Sequence, residues 1–107
     1  MSLSPGHLAV EQEDLPRLRE LLDCGYDVED DRGDGWTLLR HAIDVEIDGH
    51  VQSGDPLHVD VTAFLLARGA DPLRDANGIP PAEEAETRGH WLAAELIRAW
   101  TSRRAGA

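Results

Sequence analysis

Paired leucines punctuate this chain at Leu21-Leu22 and again at Leu65-Leu66, and each pair is followed by a glycine, Gly25 and Gly69. Aligned on those positions, "LRELLDCGYDVED" (18–30) and "TAFLLARGADPLRD" (62–75) are two copies of one segment, with "AAELIRAW" (93–100) a degenerate third. An apolar helix closed by glycine accounts for each copy, because glycine enters the left-handed conformation beyond a helix end without a steric penalty. Gly89 marks a further stop of the same kind. A second piece recurs between the copies: "DGWTLLRHA" (34–42) and "NGIPPAEEA" (77–85) both place a glycine turn before a helix start. Thr37 suits the cap of its helix, and Pro80-Pro81 the first helical positions, where a missing N–H costs nothing. The predicted unit is turn, short helix, turn, second helix, glycine stop, which makes the chain all-α.

The stretch "DVEIDGHVQSGDP" (44–56) breaks this rhythm. Ile43, Val45 and Ile47 alternate with Asp44, Glu46 and Asp48, a strand-like period of two, yet Ile43 and Ile47 also share a helix face at i and i+4. The helix already running upstream favours its prolongation to about Ile47, then a loop through Gly49, Gly54 and Pro56. The next helix is expected to restart near His58 or Asp60.

The unit resembles the ankyrin repeat, whose Thr-Pro-Leu-His-x-Ala opening and Leu-Leu-x-x-Gly-Ala-Asp closing are matched by "TLLRHA" (37–42) and "LLARGAD" (65–71). Leu38 stands where the family has Pro, Arg40 where it has His, and Pro80 where it has Thr. The resemblance implies a short ankyrin-type solenoid of helix pairs joined by turns or hairpins, filling a single domain, 1–107. It divides into an N-terminal capping unit at about 5–33, a middle unit at 34–76 and a C-terminal capping unit at 77–101, beyond which the small, polar tail "TSRRAGA" (101–107) is expected to fray. Gly69 follows Gly25 by 44 positions, against about 33 for an ankyrin unit, so roughly 11 residues are inserted near 43–57.

Charge narrows the set of partners. The chain of 107 residues carries 10 Lys and Arg against 21 Asp and Glu, a formal charge of -11. Such a surface repels nucleic-acid phosphates and attracts cationic proteins. A lone cysteine, Cys24, permits no internal disulfide and fits a reducing cytoplasm. The N-terminal residues lack a secretory pattern, and no apolar run approaches the length of a membrane span.

Catalytic signatures are missing from the sequence: there is no nucleophile elbow, P-loop or dinucleotide-binding turn. The expectation is that the protein is not an enzyme and needs no cofactor. One sharper alternative is a metal-dependent, hydrolase-like site, because a helix would place His41, Asp44 and Asp48 on one face, with His50 or His58 able to approach. No zinc or calcium motif frames these residues, and the reading adopted is a solvated acidic face without metal.

Recognition is the stronger expectation. In ankyrin proteins partners dock on the turns and on the first-helix face, which the resemblance carries to Asp34, Trp36 and Asp44 in the middle unit and to Ile79, Thr87 and Arg88 in the last. Trp36 is the expected anchor. Asp30, Asp31, Asp34, Asp44, Glu46 and Asp48 are the expected acidic rim, suited to a basic protein surface. Trp91 and Trp100 are read as core and cap residues of the last helix. The likeness extends to small bacterial immunity proteins of the ankyrin type, which implies an inhibitor of a cationic toxin; a general adaptor or regulator is the alternative.

Overall fold

The computed structural model describes residues 3–106, with side chains through residue 103. Six helices run in order: α1 (Pro5–Glu11), α2 (Leu15–Asp23), α3 (Leu38–Ser53), α4 (Asp60–Ala67), α5 (Pro81–Thr87) and α6 (Trp91–Gly106). The protein is all-α; among the described residues the only extended pairing is an isolated bridge between Ala76 and Ile79.

Local signals place most of the boundaries. Thr37 caps α3, its hydroxyl accepting from Arg40 N at 3.2 Å, and Asp14 caps α2 by accepting from Arg17 N at 3.1 Å. Pro81 opens α5, as its fixed φ allows. Behind α2, α4 and α5 the chain turns away through Gly25, Gly69 and Gly89, whose φ values of 95°, 99° and 90° lie in the left-handed region.

Helices pack in consecutive pairs: α1 on α2, α3 on α4 and α5 on α6. Across the pairs, α1 and α5 flank α3, while α4 lies on α6. Each of the three first helices buries one alanine, Ala9, Ala42 and Ala85, a side chain small enough for neighbouring backbones to approach closely. Leu18, Leu38, Ile43, Val61, Leu65, Leu66 and Ile97 fill the space between the layers. Their burial supplies the main driving force, at about 25 cal/mol per Å² of apolar surface removed from water.

The inserted stretch differs from expectation. Instead of ending near Ile47, α3 continues through Gly49 to Ser53 and closes at Gly54, with φ 71°. A glycine inside a helix costs only about 1 kcal/mol relative to alanine, whereas Pro56 disfavours helical geometry at the residue before it. Gly54 is therefore the true stop. His50 Nδ1 lies 2.7 Å from the Asp55 carbonyl, which folds the following chain back on the helix end. At the C-terminus α6 persists to Gly106, past the boundary expected at 101; the last residue of the predicted fraying tail lies outside the described residues. Trp100 packs against the core as expected, but Trp91 does not: it is 57% exposed at the first turn of α6.

No helix among the described residues is long and apolar enough to cross a membrane.

Candidate recognition site

Two tight turns and the helix starts behind them form one face of the molecule. In the second turn, Ala76 and Ile79 exchange both backbone hydrogen bonds at 3.0 Å around Asn77 and Gly78, each with positive φ. That is the two-residue hairpin that an Asn-Gly pair favours. In the first, Asp34 N donates to the Asp31 carbonyl around Arg32 and Gly33, again both at positive φ. Asp34 then accepts from Trp36 N at 3.0 Å, which fixes the backbone where the chain enters α3.

Between the turns lies an open groove of about 310 Å³, lined by Asp34, Gly35, Trp36, Ala76 and Asn77, with Arg40 and Glu84 behind them. Trp36 is half-buried, its inner face tilted against His41 with ring centroids 6.1 Å apart. Arg40, which stands where the ankyrin pattern has His, is buried and bridges the units in its place. Its Nη2 donates to the carbonyls of Arg74 and Ile79, and its Nη1 lies 2.8 Å from Glu84 Oε2. That ion pair is off the hydrogen-bonding direction, and Arg40 Nε has no partner.

The expected acidic rim is redistributed. Glu46 is not on the surface: it is fully buried, accepting from Thr62 N at 3.2 Å, Thr62 Oγ1 at 2.7 Å and His90 Nε2 at 2.9 Å. A carboxylate can be buried only when such donors replace its lost water, and the sequence around Glu46 gives no sign of donors 16 and 44 residues away. Asp30 is also occupied internally, accepting from Ser4 Oγ at 2.9 Å, from the Tyr26 hydroxyl and from Arg32 N. Burial opposes its ionisation, but the Tyr26, Arg32 and Ser4 donors outweigh that and hold it below the ordinary carboxylate value. Burial, helped by the contact with Asp30, raises the pKa of the Tyr26 hydroxyl.

Asp31 accepts from Gly33 N at 2.9 Å and pairs with Arg74 Nη2 at 2.5 Å, two contacts that lower its pKa. Arg74 also lies 3.3 Å from Glu29, so two of the turn's acids share one cation. Asp44 is bound to Arg88 at 2.7 Å, linking α3 to the end of α5. Asp34, Asp48, Thr87 and Ile79 remain exposed as expected, Ile79 at 43%.

The metal alternative loses its geometry. His41 and Asp44 face different neighbours: His41 meets His7 and Glu11 on α1, while Asp44 meets Arg88 near α5. His58 is held by Glu13 at 2.5 Å and His50 by a backbone carbonyl, so neither approaches Asp48 in a ligand set. Among the described residues no three His, Cys, Asp or Glu side chains are grouped to hold a metal ion.

Compared with known proteins, the chain is 37% identical over 84 residues to the potassium channel AKT1 of Oryza sativa subsp. indica, and equally to that of subsp. japonica. The matched stretch covers 78% of this chain but only 8% of each channel. No family model matches the chain, and no solved structure matches it.

Proposed function

We propose that this chain is a protein-binding module of the ankyrin type, built of helix-pair units at about 5–33, 34–76 and 77 onward, and that its partner presents a basic surface. The observation that carries this reading is the groove between the two turns, where a half-exposed tryptophan stands beside an exposed carboxylate. Trp36 offers a large rigid contact that desolvates at little entropic cost, and Asp34 beside it favours a cation. The pairing of α1, α3 and α5 in one layer and the Asn77-Gly78 hairpin support the ankyrin-type reading.

The redistribution of acids sharpens the surface. Asp34, 3.7 Å from Arg32, and Asp48 are its exposed carboxylates, whereas Asp31 and Asp44 are neutralised by Arg74 and Arg88. Ile79 and Thr87 extend the contact across the second turn and the end of α5. The module works by binding rather than by catalysis, without cofactor or nucleic acid, in a reducing cytoplasm that suits the exposed, unpaired Cys24. The narrower version is an inhibitor that covers a cationic toxin, supported by the net charge of -11 and by the resemblance alone; an adaptor with a different basic partner uses the same face.

The test immobilises the wild-type chain and a Trp36→Ala variant of native circular dichroism and compares the proteins each retains from source cells. A basic protein held by the wild type and released by the variant is the expected result. Equal retention by both overturns the reading.

A further inference from the structure

A chain of three contacts runs through the buried junction of α1 and α3. His7 Nε2 lies 2.9 Å from the Asp30 carbonyl, His7 Nδ1 lies 2.8 Å from His41 Nδ1, and His41 Nε2 lies 2.6 Å from Glu11 Oε2. Both rings are buried and meet edge to edge, with planes 24° apart and centroids 5.1 Å apart, while the Glu11 side chain is 54% exposed.

Each contact needs one hydrogen between its two heavy atoms. The carbonyl can only accept, and so can an ionised carboxylate. Two neutral imidazoles bring two ring protons, one fewer than three contacts require. From this count we infer that His7, His41 and Glu11 form a built proton-binding site: His7 is neutral and His41 is an imidazolium paired with the Glu11 carboxylate. His7 Nε2–H donates to Asp30, His41 Nδ1–H donates to His7 Nδ1, and His41 Nε2–H donates to Glu11.

The surroundings fit this assignment. Burial, the larger effect, holds His7 below the ordinary imidazole value against the pull of the Asp30 carbonyl, so the third proton belongs on its neighbour. The charged or titratable groups near the pair are Glu11 on α1 and Asp30, Arg32 and Tyr26 on the segment between α2 and α3. Asp30 is committed to Ser4, Tyr26 and Arg32 N, and α2 turns apolar Leu18 and Leu22 inward. Trp36 lies against His41.

Loss of the third proton at higher pH leaves two lone pairs facing each other in one of the contacts, which loosens α1 from α3. The sign follows from linkage. Above about pH 6.5 the unfolded imidazoles are neutral, so the folded state binds the extra proton and the unfolding constant rises by up to about tenfold per pH unit. Glu11→Gln removes this requirement, because its amide donates to His41 Nε2 and two ring protons then satisfy all three contacts.

The test is ¹⁵N NMR of the imidazole rings in the wild-type chain near neutral pH, with three of the four ring nitrogens of His7 and His41 expected to carry protons. Two protonated nitrogens overturn the inference. Urea unfolding from neutral to alkaline pH, compared between Glu13→Gln and Glu13→Gln/Glu11→Gln so that His58 does not contribute, gives a second readout. The slope is expected to flatten when Glu11 is replaced; an unchanged slope also overturns it.

Discussion

His90 and Glu46 meet in complete burial, His90 Nε2 donating to Glu46 Oε1 at 2.9 Å. The direction of that bond is set by the other ring nitrogen: His90 Nδ1 accepts from Ala93 N at 3.3 Å in the first turn of α6, so the hydrogen resides on Nε2. Glu46 also takes the backbone N–H and hydroxyl of Thr62, so one carboxylate ties α3 to α4 and α6. An acid that a surface pattern would assign to solvent is a structural rivet between the middle and last helix pairs.

Glu46→Ala should therefore cost about 3 to 5 kcal/mol, because the His90 and Thr62 donors lose their acceptor inside a cavity. Urea unfolding measures it. A loss below about 1 kcal/mol, the ordinary range for a surface change, would show that Glu46 is solvated after all.

Gly6 lies in α1 where Tyr26 crosses it, and a Cβ at that position would overlap the Tyr26 ring at Cε1 and Cζ. The ring cannot simply swing away, because its hydroxyl donates to Asp30. Gly6→Ala should destabilise by about 1 to 3 kcal/mol through overpacking, despite the roughly 1 kcal/mol that alanine gains in helix propensity. Thermal melts decide it, and a raised melting temperature contradicts the packing described.

His58 is held above the ordinary imidazole value, first by the Glu13 carboxylate and with burial opposing. A group whose folded pKa is raised contributes stability that is complete below its unfolded value of about 6.5 and is lost as pH rises through the folded value. Unfolding midpoints of the wild type should therefore fall more steeply than those of Glu13→Gln between neutral and alkaline pH. Parallel profiles would mean that the contact between the α3–α4 connection and the α1–α2 corner is not formed in solution.

On the proposed recognition face, Trp36→Ala should weaken partner binding by about 2 kcal/mol or more, chiefly through faster dissociation. Asp34→Asn and Asp48→Asn should mainly slow association, an effect that fades above about 0.15 M salt. Asp30→Asn behaves differently, lowering stability by weakening the Tyr26 and Ser4 contacts without a specific change in association rate. Surface-plasmon kinetics at two salt concentrations separate these outcomes, and a salt-independent Asp34 effect contradicts electrostatic steering.

The helix ends were legible along the chain because their causes are local. Thr37 reaches an N–H three residues on, Pro81 fixes its own φ, and Gly25, Gly69 and Gly89 need only their own lack of a side chain to turn left-handed. The apolar repeat likewise predicted an all-α chain, and the family resemblance pointed to Asp34 and Ile79 as exposed positions. The end of α3 was not legible: a stop near Ile47 was expected, and the helix runs on to Gly54, where Pro56 and the backbone contact of His50 close it.

The fate of each charged or titratable side chain was decided only by the tertiary structure. Glu46 is buried because Thr62 and His90, distant along the chain, arrive with their donors. Asp30 and Asp31 are spent on Tyr26, Ser4 and Arg74. His41 turns toward His7, 34 positions earlier, instead of toward Asp44 on its own helix. Sequence spacing fixes which side chains share a helix face, but the free energy of an ionisable group depends on the donors, acceptors and water within a few ångströms, and packing alone brings those together.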